Sequence, residues 1–314
     1  MTPVLVVLLS LPCVHWTEGI ESRAALEAAG VKRVCVAPEQ VQAWRAAGFS
    51  ATPMTPKELA SREALPTPGT TARVGVASPT RSPWVNASGW RFTKSPGGKY
   101  AYDLPAGKAA LAAAEAFAYG ADAVLKVNPA DLKNLGGMLT FLAGLPDVDL
   151  PPVADFAVVD DGSAITGEVM NLLARRNLLF QAVQKPSPRF RLNVAVGSPA
   201  YPLEEAADPN AFAQKIRGQL TDEQRSVRVY GSEVVICRLT GDAGRVRLHL
   251  INYGGRELEG LRVRVRGAYR DGEAHVAGAG RLPLQDYAVA DGATEFSVPR
   301  IATYAVIDLK GGQY

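Results

Sequence analysis

Near Arg225 the spacing of apolar residues changes once, and this switch constrains the fold more than any other feature of the chain. From Glu18 to about Leu220, helical spacing alternates with short apolar runs rich in β-branched residues. From 227 to 310, apolar and polar residues alternate at period two, with turn residues between the runs. The first pattern predicts an α/β region over 16–224, and the second an antiparallel β-sandwich over 225–314. A chain of 314 residues accommodates two such domains.

Within the first region, 21–29 predicts a helix closed by Gly30, 31–37 a strand, and Pro38 the start of a helix over 39–47. After the proline-rich stretch 51–72, 73–77 predicts a strand and 78–106 a long loop. Helices follow at 107–119, 131–144, 163–176 and 208–220, and strands at 122–127, 153–160, 178–183 and 192–196. Beyond Arg225, turns are expected at Gly241-Asp242, Gly254-Gly255 and Asp271-Gly272. Arg262, Arg264 and Arg266 share one strand face, as do Arg245, Arg247 and His249. Both stripes read as the solvent side of a sheet rather than as anion sites.

Composition narrows the function. The 34 basic and 31 acidic residues leave a net charge of only +3, too little for a protein that tracks phosphates, so nucleic acid is not an expected partner. The 30 glycines and 22 prolines are dispersed between apolar segments, which implies many turns and excludes wholesale disorder. Three cysteines cannot build a disulfide framework or a multi-cysteine zinc site, and Cys35 in its apolar strand reads as core. His15, His249 and His275 are isolated, so no metal is expected. With neither a P-loop nor a Gly-x-Gly-x-x-Gly after a strand, no cofactor is expected either. The run 4–11 is too short to span a membrane; it reads either as the core of a signal peptide over 1–15 or as a buried first strand. The first alternative puts the protein in the periplasm or outside the cell, the second in the cytoplasm.

The tail Val246-Arg-Leu-His-Leu-Ile-Asn-Tyr253, with Phe296-Ser-Val-Pro-Arg-Ile-Ala-Thr-Tyr-Ala-Val-Ile-Asp-Leu309, resembles the C-terminal sandwich that trails the barrels of bacterial glycoside hydrolases. The strand-helix-strand from Ala154 to Val183 is similar to the amidotransferase-like or trimerisation-like module of some members. The resemblance implies a carbohydrate ligand and is compatible with a homo-oligomer. About 200 residues precede the sandwich, whereas a complete eight-fold barrel needs about 250, so the α/β part is expected to be a partial barrel or an open parallel sheet.

Glycosidic cleavage needs two carboxyl groups, one to protonate the leaving oxygen and one to act as nucleophile or base. Asp160 ends the strand 153–160 on the face where α/β proteins bind ligands, and is the expected nucleophile or base. Glu115, among alanines, is the matching acid. Each has a structural alternative: Asp161 or Ser163 capping the next helix beside Asp160, and a paired core carboxylate at Glu115. The segment 78–106 carries Trp84, Asn86, Trp90, Arg91, Tyr100 and Tyr102, a mixture that suits a sugar, with rings for its apolar face and Asn or Arg for its hydroxyls. The same mixture suits an Ω-loop packed by its own aromatics. The expected function is therefore glycoside hydrolysis through a carboxylate pair or, alternatively, non-catalytic carbohydrate binding or surface assembly.

Overall fold

The computed structural model describes residues 11–71, 83–242 and 244–311. The chain forms two compact units, one of 1–69 with 96–148, the other of 70–95 with 149–314. The first unit begins with β1 (Cys13–His15), α1 (Arg23–Ala29), β2 (Arg33–Val36), α2 (Val41–Ala46), β3 (Ser50–Pro53), α3 (Pro56–Ser61) and β4 (Glu63–Leu65). Strands β5 (Gly69–Thr71) and β6 (Trp84–Asn86) pair with each other, and α4 (Gly89–Lys94) follows. The first unit resumes with β7 (Lys99–Asp103), α5 (Ala109–Ala118), β8 (Asp122–Lys126) and α6 (Leu132–Ala143). The second continues with β9 (Phe156–Val159), α7 (Ala164–Arg175), β10 (Phe180–Val183), β11 (Asn193–Val194), α8 (Leu203–Ala206) and α9 (Pro209–Leu220). It ends in the strands β12 (Val227–Val229), β13 (Val235–Gly241), β14 (Arg245–Asn252), β15 (Leu258–Arg266), β16 (Asp271–Val276), β17 (Gly280–Pro283), β18 (Gln285–Ala290), β19 (Ala293–Ile301) and β20 (Tyr304–Lys310).

In the first unit, six parallel strands form one sheet in the order β3-β2-β1-β8-β7-β4, an open order among the described residues. Val14, Val34, Val124 and Leu125 fill its centre, as expected of parallel strands covered on both faces. Its helices begin and end on local chemistry. Gly30 closes α1 in the left-handed conformation (φ 78°) that costs glycine nothing. Thr55 accepts from the Glu58 amide at 3.1 Å, with Pro56 in the first turn of α3. The buried Asp131 carboxylate accepts from the amides of Gly107, Lys108 and Ala109 at 2.7–3.3 Å, where α5 starts.

In the second unit, the parallel sheet β10-β9-β11 is flanked by α4, α7 and α9. Ser163 caps α7 by accepting from Thr166 N at 3.1 Å, while Asp161 accepts from Ser163 N at 2.9 Å. The expected change near 225 is the passage from α9 to β12. Beyond it, sheets β12-β15-β19-β18 and β13-β14-β20-β16-β17 bury a shared apolar core that includes Val263, Leu248, Phe296 and Ile307.

Four expectations are corrected. The segment 78–106 is not one loop: its described part folds into β6, α4 and β7. Lys99-Tyr-Ala-Tyr-Asp103 alternates at period two and takes a place between β4 and β8. Arg262 and Arg266 do face solvent, but Arg247 and His249 are buried, because their strand β14 is covered on both faces and each finds a polar partner on β20. Asp271-Gly272 opens β16 and pairs with Lys310 and Leu309 instead of turning. Cys35 is core and also disulfide-bonded to Cys13, because neighbouring strands β1 and β2 bring their Cα atoms to 5.7 Å across 22 residues of sequence. The run 4–10 and the strand expected at 73–77 lie outside the described residues.

Candidate functional site

The eight residues singled out in the sequence divide between the two units. Asp160 follows β9, and its Oδ1 lies 3.2 Å from Lys94 Nζ at the end of α4 and accepts from Gly162 N at 3.0 Å. Glu115 belongs to the other unit. It is fully buried on α5, and Tyr102 donates a 2.5 Å hydrogen bond to its Oε2. Tyr102 and Tyr100 are themselves at most 1% exposed on β7, so neither presents a ring face to solvent. Trp84 and Trp90 pack on the core of the small parallel module. The Arg175 guanidinium stacks 4.0 Å from the Trp84 ring, and that of Arg91 stacks 4.3 Å from the Trp90 ring. Gly167 on α7 lets Trp90 approach closely, since a Cβ there would stand 3.3 Å from the indole. Asn86 is half-buried on β6.

Next to the Trp84–Arg175 stack opens a polar cleft of about 950 Å³, bounded by the end of α7, the start of α9 and the turn 231–233. Arg175 and Arg176 reach it from α7, while Asn210, Gln214 and Arg217 come from one face of α9, and Ser232 and Glu233 from the turn. Helix α9 is aimed by Asp208, whose carboxylate accepts from the amides of Asn210 and Ala211 at 3.0 Å, with Pro209 in the first turn. Asn177 closes α7 with φ 54° and fixes it to β13: its Nδ2 donates to Val235 O at 3.0 Å and its Oδ1 accepts from Cys237 N at 2.7 Å.

Electrostatically the cleft is mixed. Arg176 donates to Asn210 Oδ1, and Arg217 reaches Asp222 at 3.4 Å. Burial lowers the pKa of Arg176, as does the like charge of Arg217, while Glu233 opposes the shift. Guanidinium, amide, hydroxyl and carboxylate groups thus line one concave surface, offering both donors and acceptors. These residues are not among those the sequence singles out. Asn210, Gln214 and Arg217 stand at i, i+4 and i+7, a polar stripe on one face of α9 that was the one available signal. Among the described residues, no group of three or more His, Cys, Asp or Glu could hold a metal ion, and no helix is long and apolar enough to cross a membrane.

No family model and no curated protein matches the chain. Among solved structures it is similar to alpha-L-fucosidase isoenzyme 2 from Paenibacillus thiaminolyticus, at 10% identity and a TM-score of 0.48 over 87% of this chain and 70% of that one. It is also similar to a GH42 beta-galactosidase from G. stearothermophilus, at 8% identity and a TM-score of 0.39 over 80% of this chain. A third likeness is to a beta-galactosidase from Bacillus circulans sp. alkalophilus, at 12% identity and a TM-score of 0.40 over 95% of this chain. The chain spans 53% and 60% of the lengths of the two beta-galactosidases.

Proposed function

We propose that the protein binds carbohydrate without cleaving it and holds a glycan in the polar cleft between α7, α9 and the turn 231–233. The observation that carries this reading is the lining of that cleft, where Arg176, Asn210, Gln214, Arg217, Ser232 and Glu233 surround a volume of about 950 Å³. A sugar presents many hydroxyls that both donate and accept, and a wall of mixed donors and acceptors is what recognises it. The state of the two expected carboxylates supports binding over cleavage. Glu115 is enclosed with Tyr102 in the first unit, while Asp160 is held by Lys94 and Gly162 in the second. The Cys13–Cys35 disulfide supports a site of action outside the reducing cytoplasm.

The experiment is a polysaccharide panel scored both for retention of the protein and for release of reducing ends. Retention without release is the expected result. Release would favour hydrolysis, a reading supported by the position of Asp160 just after a parallel strand. In that case Asp160→Asn should abolish turnover and leave the unfolding midpoint nearly unchanged.

A further inference from the structure

A second cleft in the same unit, of about 680 Å³, shares no lining residue with the first. It is built from the loop between β10 and β11, the segment after α9, the β13–β14 turn and the end of β15. Gln224 organises its cationic side: Arg191 donates to the Gln224 side-chain oxygen at 2.6 Å, and Arg266 donates to the Gln224 backbone oxygen at 3.1 Å. One residue thus holds two guanidinium groups in the same neighbourhood through neutral oxygens alone. Arg189 adds a third, stacked 5.6 Å from the half-buried Phe190 ring. Among the described residues, none of the three forms a salt bridge with a carboxylate. The two acidic residues of the cleft are engaged by other donors. Asp155 accepts from Ser226 N at 3.1 Å and Ser226 Oγ at 2.6 Å, and Asp242 accepts from the amides of Gly244 and Arg245 at 3.0 and 3.1 Å.

The lining sets three guanidinium groups against the carboxylates of Asp155 and Asp242, and Asp155 feels the charge of Arg266; an anion entering between the arginines gains charge-assisted hydrogen bonds. Guanidinium groups suit a planar carboxylate, and the ring of Phe190 beside them suits the apolar face of a sugar. We propose that this cleft binds a uronic acid residue, with its carboxylate on Arg191 and Arg266 and its ring against Phe190. It does not depend on the glycan assigned to the first cleft.

The test is calorimetric titration of the full chain with trigalacturonate and with its fully methyl-esterified, neutral counterpart. Trigalacturonate should bind and the ester should not. Arg191→Gln and Arg266→Gln should each weaken binding by about tenfold or more with an unchanged unfolding midpoint. Arg262→Gln, at an exposed arginine outside the cleft, should leave affinity unchanged. Absence of binding, equal binding of the ester, unchanged affinity in both cleft variants, or an equal loss in Arg262→Gln would each overturn the assignment.

Discussion

Arg247 and Asp308 occupy directly opposed register positions on β14 and β20, and the guanidinium donates two 2.7 Å hydrogen bonds to the carboxylate, both side chains being about 5% exposed. Removing one partner leaves an uncompensated buried charge. Asp308→Ala should therefore cost about 3–5 kcal/mol in urea unfolding, whereas the double change Arg247→Met with Asp308→Leu should recover most of the loss. A cost below about 1 kcal/mol for the single change would mean that water reaches the pair.

The same pair shows how far the sequence could be read. Alternation placed β15 correctly, because a half-buried strand has to alternate, and the same period located β14 and β20. On β15 it also identified the outward Arg262 and Arg266, whereas the Arg264 side chain is mostly covered beside Glu295. It failed on β14, where both faces are buried and Arg247 and His249 are tolerated only because Asp308 and Tyr304 stand across the ladder. Such partners are distant in sequence and leave no mark in local periodicity. The disulfide and the first cleft were missed for the same reason: Cys13 and Cys35 meet through strand order, and Asn210 and Glu233 through the packing of α9 near the turn 231–233.

His249 is buried beside the Tyr304 hydroxyl, 2.6 Å from its Nδ1, and its pKa is held well below 6.5 by burial and then by the charges of Arg238 and Arg247. Above pH 6.5 the imidazole is neutral in both folded and unfolded chains and has no pH effect on stability. Below it the unfolded chain takes up a proton that the folded chain refuses, so stability falls on acidification, by up to about 1.4 kcal/mol per pH unit. His15 and His275, also lowered chiefly by burial, act with the same sign. Asp155, raised by burial against the Ser226 hydrogen bonds, acts oppositely, in the range above 3.8. The urea midpoint should decline between pH 7.5 and 5.5, and less steeply in His249→Gln. An unchanged slope in the variant would contradict the assignment.

Gly136 and Gly137 are neighbours on α6 with opposite constraints. A Cβ on Gly136 would stand 1.4 Å from the Ala29 carbonyl oxygen, whereas one on Gly137 meets nothing within 4 Å. Gly136→Ala must push α1 away from α6 and should cost about 1–3 kcal/mol or more. Gly137→Ala should stabilise by up to about 1 kcal/mol through helix propensity. Equal effects on the thermal midpoint would contradict the close approach of the two helices.

Thiol counting checks the disulfide. Cys237 is fully buried, and burial pushes its pKa up to about 12, so the native protein should show no reactive thiol. Denaturant alone should expose one thiol, and denaturant with reductant three. Breaking the bond closed over 22 residues should lower stability by about 3 kcal/mol. Three thiols in denaturant without reductant would show that the cysteines are unpaired and remove the support for an oxidising compartment.

The claim that a glycan occupies the first cleft is tested most directly by titrating the most strongly retained glycan of the panel into the wild-type chain and into Gln214→Ala. Gln214 is exposed on α9 and lines the cleft, so its truncation should leave the fold intact. The account predicts that affinity falls by about tenfold with an unchanged unfolding midpoint. Full affinity in the variant, or no retained glycan in the panel, would contradict it.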